Sequence, residues 1–123
     1  MDKRILVIED EPDIREAIAE ALTQAGFTTF TAENGQAGLQ TALAEKPDLI
    51  LLDIIMPIMD GHQTLTKLRQ DPWGQNAKVI MLTSMDDVQN IGAAHEGKIA
   101  GYIIKAHASL DEIVNKVRLE SFT

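Results

Sequence analysis

The sequence predicts an α/β domain built on a doubly wound, five-stranded parallel sheet. The main observation is that short apolar runs alternate with amphipathic helical segments along the whole chain. Such alternation implies a parallel sheet with helices on both faces. Strands covered on both faces have continuous apolar sequences, as these runs do. The 123 residues also suit one domain, and no repeat, low-complexity stretch or Pro/Gly/Ser-rich linker divides them.

Four apolar runs are clear strand candidates, and a fifth is weaker. The clear runs cover residues 5–8, 49–52, 79–82 and 102–104, and each is continuous rather than alternating. The weaker run, at residues 27–31, is rich in Thr and Phe and suits an edge strand. We therefore expect five strands, with the weakest at one edge of the sheet.

Helical periodicity separates these runs. The first helix steps by three and four residues up to Gly26, with Pro12 in its first turn. The last helix opens with the capping-box residues Ser109 and Glu112. Its apolar stripe is expected at Leu110, Ile113, Val114 and Val117. Less regular helices are predicted at residues 36–45, 61–70 and 86–96, and a loop at 71–78.

The composition excludes several function classes. The chain has no cysteine, which rules out a disulfide scaffold, a thiolate metal site and a Cys nucleophile. Its net charge of -8 argues against direct nucleic-acid binding, because that affinity depends on Lys and Arg neutralising phosphates. No apolar run approaches the roughly 20 residues that span a bilayer. We therefore expect a cytoplasmic protein without direct nucleic-acid or membrane partners.

Polar side chains follow the predicted strands where each strand ends. Open parallel sheets bind ligands at the carboxyl ends of their strands, which lie along one edge. Carboxylates, hydroxyls and an ammonium group are therefore expected to converge there. They come from Glu9, Asp10 and Glu11 after the first strand, Asp53 after the third, Thr83 and Ser84 after the fourth, and Lys105 after the fifth.

This set of groups suits phosphoryl transfer assisted by a divalent cation. Crowded carboxylates repel one another, and Mg²⁺, which prefers oxygen ligands, relieves the repulsion. Asp53 would attack phosphorus to form an acyl phosphate, while Thr83 and Lys105 contact the phosphoryl oxygens. Taken singly, each residue has a simpler explanation as a helix cap, a loop acid or a solvated lysine. Their convergence favours the functional interpretation.

Four stretches of the sequence carry a family resemblance. They are residues 5–11, 51–61 (LLDIIMPIMDG), 79–84 and 101–105. The chain resembles the receiver domain of two-component response regulators over most of its length. The resemblance implies a single receiver domain over residues 1–123, with a flavodoxin-like fold and strand order 2-1-3-4-5. Whether the chain is a complete protein or part of a longer regulator stays open.

The resemblance also implies an activity and a metal. Asp53 would accept a phosphoryl group from a histidine kinase or a histidine phosphotransfer protein. The domain would assist its own stoichiometric phosphorylation and dephosphorylation rather than act as an enzyme. The implied Mg²⁺ ligands are Glu9, Asp10, Asp53 and the backbone carbonyl of Ile55.

The resemblance also implies a conformational switch that involves Thr83 and Tyr102. Thr83 and Lys105 would contact the phosphoryl group, and Tyr102 would change orientation as Thr83 moves toward that group. The surface of the fourth predicted helix, the fifth strand and the last helix would then signal to a downstream effector protein or domain.

Two features depart from the family pattern. The family usually has a cis proline after the lysine, whereas Ala106 follows Lys105 here. Because a cis bond without proline costs about 2.5–4 kcal/mol, we expect a trans bond and a rebuilt loop. Residues 97–101 also hold one residue more before Tyr102 than the family pattern, so the route into the fifth strand stays open.

Two apolar residues bear on the lifetime of a phosphoaspartate. Ile55 and Met85 follow Asp53 and Thr83 by two residues, at positions that flank the attacking water in the family. Neither side chain can orient water by hydrogen bonding. The expected phosphoaspartate is therefore long-lived.

Three alternative functions stay open. The first is a degenerate receiver that serves only protein contacts, which Ala106 keeps open although the key positions hold competent residues. A metal-dependent phosphatase with an aspartyl nucleophile would need a second Asp at position 55, where Ile stands. A flavin or nucleotide module would need a Gly- or hydroxyl-rich loop after the first strand, where acids and Pro12 stand.

Overall fold

The computed structural model describes residues 2–84 and 99–122, which form five strands, four α-helices and a short 3-10 helix. In chain order these are β1 (Arg4–Ile8), α1 (Pro12–Gln24), β2 (Thr28–Ala32), α2 (Gly35–Glu45), β3 (Leu49–Asp53), α3 (Gly61–Gln70), the 3-10 helix (Gly74–Asn76), β4 (Val79–Thr83), β5 (Gly101–Ile104) and α4 (Leu110–Ser121).

The five strands are parallel and lie in the order β2-β1-β3-β4-β5. The predicted doubly wound sheet and its strand order are therefore confirmed. The register pairs Ile8 with Leu52 and Asp53 with Leu82, so the central strands end nearly level. Residues that follow β1, β3, β4 and β5 consequently meet along one edge, which we call the carboxyl edge.

Two apolar clusters cover the two faces of the sheet. Successive residues of a strand point to opposite faces, so strands buried on both faces need apolar residues at every position. Leu6 belongs to the cluster that includes Leu65 of α3. Its neighbour Val7 belongs to the opposite cluster, with Ile18 of α1 and Val117 of α4. This burial on both faces explains why the apolar runs are continuous.

The helix starts follow the predicted capping signals. Pro12 begins α1, and α4 begins with a capping box in which Ser109 and Glu112 each accept the other's backbone N–H. Helix α3 covers the predicted residues and opens with a second capping box, between Asp60 and Gln63. These caps satisfy N–H groups that a first helical turn leaves unpaired. Within the described ranges, no helix has the length and hydropathy needed to cross a membrane.

Some predicted boundaries differ from the structure. The prediction that Leu110 belongs to the buried apolar stripe of the last helix is wrong, because its side chain is 44% exposed. Leu110 is the first residue of the helix and precedes the turns that contact the sheet. Strand β2 begins and ends one residue later than predicted, and the predicted loop at 71–78 contains the 3-10 helix. The helix predicted at 86–96 lies outside the described residues.

A tight connection places the start of α3 against the end of β3. The Gly61 N–H donates to the Ile54 carbonyl at 2.7 Å. A Cβ atom at position 61 would lie 2.5 Å from the Asp53 carbonyl oxygen, so only glycine allows this approach. The connection also contains a three-residue turn centred on Ile58, whose φ of 70° is rare for a β-branched residue. Gly61 therefore sets the position of Asp53 relative to α3.

Gly61→Ala is expected to destabilise the fold by on the order of 2 kcal/mol, because the new Cβ would force the Asp53 backbone to shift. Helix propensity alone predicts the opposite sign, a gain of up to about 1 kcal/mol. Urea denaturation followed by circular dichroism measures the change. Gly101→Ala is the matched control, since its Cβ would meet only the flexible end of Lys116, at 3.0 Å. Equal losses in the two variants would contradict the steric explanation.

Candidate functional site

The carboxyl edge brings three acidic side chains together. Asp53 is the last residue of β3, and Glu9 and Asp10 follow the adjacent strand, β1. Their carboxylate oxygens lie within 4.8 Å of one another. Glu9 is fully buried and Asp53 is 4% exposed, whereas Asp10 is partly exposed. Two carboxylates are thus withdrawn from water while a third stays accessible.

The Lys105 side chain brings a positive charge to these carboxylates. It follows β5, and its backbone N–H donates to the Thr83 carbonyl at 2.9 Å, which extends the pairing of β4 with β5. Its ammonium nitrogen lies 2.5 Å from Glu9 Oε1 and 3.5 Å from Asp53 Oδ2. The three carboxylates and this ammonium together carry two net negative charges when all are ionised.

Burial and crowding shift the protonation of these groups. Burial raises the pKa of Asp53 to about 8; hydrogen bonding with Glu9 and the charge of Glu9 add to the rise, and the charge of Lys105 opposes it. Burial alone would lower the pKa of Lys105, but the hydrogen bond with Glu9 and the surrounding negative charges outweigh burial and raise it. In the absence of a cation, the site therefore favours the protonated form of Asp53 and the charged form of Lys105.

Glu9, Asp10 and Asp53 fit a hard divalent cation. Glu9 Oε2 accepts a hydrogen bond from the Glu11 N–H at 3.1 Å. Glu9 Oε1 is buried, and within the part of the chain that the structure describes it is paired with the Lys105 ammonium at 2.5 Å. One ammonium cannot balance three carboxylates, and a divalent cation would offset the remaining negative charge and the repulsion among the acids. Oxygen ligands of this kind suit Mg²⁺.

An open cleft of about 380 Å³ gives access to the acidic cluster. Asp10, Asp53 and Lys105 line it with polar groups, and Ile55 and Ala106 add apolar surface. Ile55 is 67% exposed, so its side chain stands at the rim of the cleft and not in the core. The cleft therefore leaves room for a small group beside the Asp53 carboxylate and next to an apolar side chain.

The two predicted switch residues lie on neighbouring strands. Thr83 ends β4 and is buried, and its hydroxyl donates to the Ser84 carbonyl at 2.9 Å. Tyr102 lies on β5 opposite Met81 and is 45% exposed. The Thr83 hydroxyl thus has a local acceptor here. Its contact with a phosphoryl group, and its coupling to Tyr102, stay predictions.

The structure settles one of the two departures from the family pattern. The described residues contain no cis peptide bond, so the bond between Lys105 and Ala106 is trans, as predicted. The altered route into β5 includes residues 97–98, which lie outside the described ranges. Met85, which by the family resemblance would flank an attacking water, also lies outside them.

Sequence reasoning missed one residue at the site. The Arg15 guanidinium donates from Nη1 to the Glu9 carbonyl at 2.9 Å and reaches the Asp10 carbonyl at 3.4 Å. Arg15 lies near the N-terminus of α1, where the helix dipole disfavours a positive charge. That unfavourable placement is the signal in the sequence that could have indicated a specific role.

Comparison with known proteins identifies the family. The family model of the response regulator receiver domain matches residues 5–118. The chain belongs to this family. The receiver domain is 36% identical over 115 residues to the transcriptional activator protein IrlR of Burkholderia pseudomallei, a match that covers 94% of this chain and 48% of that protein. It is 38% identical over 87 residues to the alkaline phosphatase synthesis transcriptional regulatory protein PhoP of Bacillus subtilis, covering 71% of this chain and 35% of that protein.

Solved structures agree with this assignment. The receiver domain of the Francisella response regulator 1452 superposes with a TM-score of 0.87 at 26% identity, and the match covers 98% of each chain. The signal receiver domain of a histidine kinase from Syntrophus aciditrophicus superposes with a TM-score of 0.85 at 27% identity, covering 98% of this chain and 90% of that one. The chain spans about half the length, or less, of the curated relatives it matches.

Asp53→Asn is expected to stabilise the metal-free receiver domain at alkaline pH. The pKa of Asp53 is about 8 in the folded state, against about 4 in an unfolded chain, so the folded state binds this proton more tightly. The protonated Asp53 therefore contributes its whole stabilising free energy below pH of about 4, and this contribution is lost as the pH rises to about 8. Asn does not titrate, and one pKa unit is worth about 1.4 kcal/mol, so the variant should gain on the order of 5 kcal/mol over wild type at pH of about 8.

Urea denaturation in EDTA, at pH values between about 5 and about 8.5, measures this difference. Asp111→Asn is the matched control, because Asp111 is exposed in the first turn of α4 and its loss should change stability by less than about 0.5 kcal/mol. A gain in Asp53→Asn that does not depend on pH would argue against the raised pKa as its cause.

Proposed function

We propose that Asp53 of this receiver domain accepts a phosphoryl group from a phosphohistidine of a histidine kinase or of a histidine phosphotransfer protein. The observation that carries the proposal is the position of the Asp53 carboxylate, which lines the open cleft 3.5 Å from the Lys105 ammonium. A nucleophile that attacks an anionic phosphoryl group needs both access and nearby positive charge.

The proposed step is a single displacement at phosphorus. A carboxylate oxygen of Asp53 attacks, and a P–O bond forms as the P–N bond to the donor histidine breaks. The electron pair of the broken bond stays on the imidazole nitrogen, and a proton on the other ring nitrogen keeps the leaving imidazole neutral. The Lys105 ammonium faces the negative charge of the phosphoryl oxygens, and the product is an acyl phosphate on Asp53.

We propose Mg²⁺ as the cofactor, held by Glu9, Asp10, Asp53 and the backbone carbonyl of Ile55. When bound, the cation neutralises negative charge on the carboxylates and on the phosphoryl group. Asp53 must be ionised to attack, yet burial favours its protonated form. Release of this proton therefore links cation binding to activation of the nucleophile.

We propose that the transfer is stoichiometric. A phosphatase that uses an aspartyl nucleophile needs a general acid two residues after it, and Ile55 has no proton to supply. The domain would therefore assist its own phosphorylation and dephosphorylation and would not turn over phosphate esters as an enzyme does.

The proposed output is a change on the surface formed by the fourth predicted helix, which lies outside the described residues, by β5 and by the last helix, α4. The Thr83 hydroxyl would leave the Ser84 carbonyl for the phosphoryl group, and the half-exposed ring of Tyr102 would reorient. A downstream effector protein or domain would recognise the result. Relatives named as transcriptional regulators support an effector of that kind, while the net charge of -8 argues against DNA contact by the receiver itself. We place this relay in the cytoplasm.

Intact mass spectrometry after incubation with acetyl phosphate tests the proposed acceptor. We expect one added phosphoryl group on the wild type in Mg²⁺, and none on Asp53→Asn, which lacks the nucleophile. EDTA should also prevent the adduct on the wild type, because the carboxylates then repel the donor. Asp111→Asn is the matched control and should be phosphorylated as the wild type is.

Two results would contradict this function. An adduct of equal yield on Asp53→Asn would mean that another residue is the acceptor. No adduct on a wild type that still binds Mg²⁺ would favour the degenerate receiver that serves only protein contacts. In that case Ala106→Pro, which restores the usual proline after Lys105, would show whether the loop is the cause.

The apolar side chain at position 55 predicts a long-lived phosphoaspartate. Ile55 stands at the rim of the cleft and cannot form a hydrogen bond with an attacking water. Ile55→Asn should shorten the lifetime about tenfold, the effect of one hydrogen bond worth about 1.4 kcal/mol in the transition state. Decay of the adduct mass after removal of the donor measures the lifetime. Ile55→Val adds no polar group and is the control; equal lifetimes in Asn and Val variants would refute the explanation.

A further inference from the structure

The loop between β1 and α1 carries two of the three site carboxylates, and Arg15 holds it from the α1 side. Arg15 Nη1 donates to the Glu9 carbonyl at 2.9 Å, and the Asp10 carbonyl accepts a longer contact of 3.4 Å from the same nitrogen. A guanidinium donor makes charge-assisted hydrogen bonds, which are stronger than those between neutral groups. The side chain therefore ties two consecutive carbonyls of the loop to the first helix.

This loop is under electrostatic stress. The Glu9 and Asp10 carboxylates converge with that of Asp53, and Asp10, which is partly exposed, can relieve the crowding by moving outward. Glu11, the N-cap residue of α1, makes no capping hydrogen bond with its side chain. Glu9 itself is anchored, because its N–H donates to the Ala32 carbonyl at 3.0 Å. The contact from Arg15 is thus a restraint on the Asp10 end of the loop.

We propose that Arg15 is a positioning residue for the cation site. It holds the backbone of Glu9 and Asp10 so that their carboxylates stay converged with Asp53. This inference rests on the proposed function, since it takes these carboxylates as the Mg²⁺ ligands. Arg15 acts through the loop backbone and does not touch the ion. Residues that orient metal ligands in this way typically contribute about 10–100-fold to metal affinity.

Charge and position predict opposite effects for the loss of Arg15. The guanidinium is a positive charge beside a cation site, so its removal should tighten Mg²⁺ binding if charge alone matters. If Arg15 acts by positioning, Arg15→Met should weaken Mg²⁺ binding about tenfold, because Asp10 is then free to move away from Asp53. The sign of the change in affinity separates the two explanations.

Isothermal titration calorimetry with MgCl₂ at constant ionic strength measures the affinity directly, without any phosphoryl donor. We expect about tenfold weaker binding by Arg15→Met and a smaller loss in Arg15→Lys, which keeps the charge but not the guanidinium geometry. Arg118→Met is the matched control. It removes the same charge and a comparable hydrogen bond, to the Ala25 carbonyl at 3.4 Å, beyond the opposite end of α1. Its affinity should equal that of the wild type.

Amide hydrogen exchange in EDTA gives a second readout. The Glu11 amide, which donates to Glu9 Oε2, should exchange faster in Arg15→Met than in the wild type, while the amides of the central strands stay protected. Unchanged or tighter Mg²⁺ binding by a folded Arg15→Met would overturn the inference. If that variant does not fold without metal, Arg15→Lys decides: weaker binding supports the positioning role and wild-type affinity overturns it.

Failure of this inference is distinguishable from failure of the proposed function. A wild type that binds Mg²⁺ and is phosphorylated on Asp53, together with an Arg15→Met variant of equal affinity, would reject only the role of Arg15. A wild type that does not bind Mg²⁺ at all would reject the proposed cation site, and the inference with it.

Discussion

Two carboxylates, those of Glu9 and Asp53, are buried side by side at the carboxyl edge, and the other features of the site depend on this contact. Burial beside Glu9 raises the pKa of Asp53 to about 8, and the Lys105 ammonium only partly offsets the effect. The repulsion between these carboxylates is therefore relieved either by a proton on Asp53 or by an added cation. The crowding that costs folding free energy is thus also the repulsion that an added cation would relieve.

The fold maintains this crowding through backbone constraints. The parallel register ends β1 and β3 nearly level, which places Glu9 beside Asp53. The close approach of Gly61 to the Asp53 carbonyl locates α3 against the end of β3. On the other side, Arg15 ties the loop after β1 to α1. Because strands buried on both faces cannot shift without opening the core, side-chain repulsion at the carboxyl edge cannot separate Glu9 from Asp53.

Sequence patterns predicted the elements that depend on local rules. Helix α3 and the capping box at Ser109 follow from periodicity and capping chemistry, and the trans bond before Ala106 follows from the energy of a cis bond. Leu110 could not be placed correctly, because periodicity does not tell which turn of a helix reaches the sheet. Arg15 was missed for a related reason: its acceptors are backbone carbonyls, which carry no signature in the sequence.

By itself, the sequence determined which residues meet. Alternating strands and helices imply a parallel sheet, and a parallel sheet brings the residues after its strands to one edge, whatever the packing. Tertiary structure alone decided how these residues meet. It buried Glu9 completely and set the Lys105 ammonium against Glu9 and Asp53. Burial and distance set pKa values and hydrogen-bond partners, and both arise from the packing of segments that are far apart in the chain.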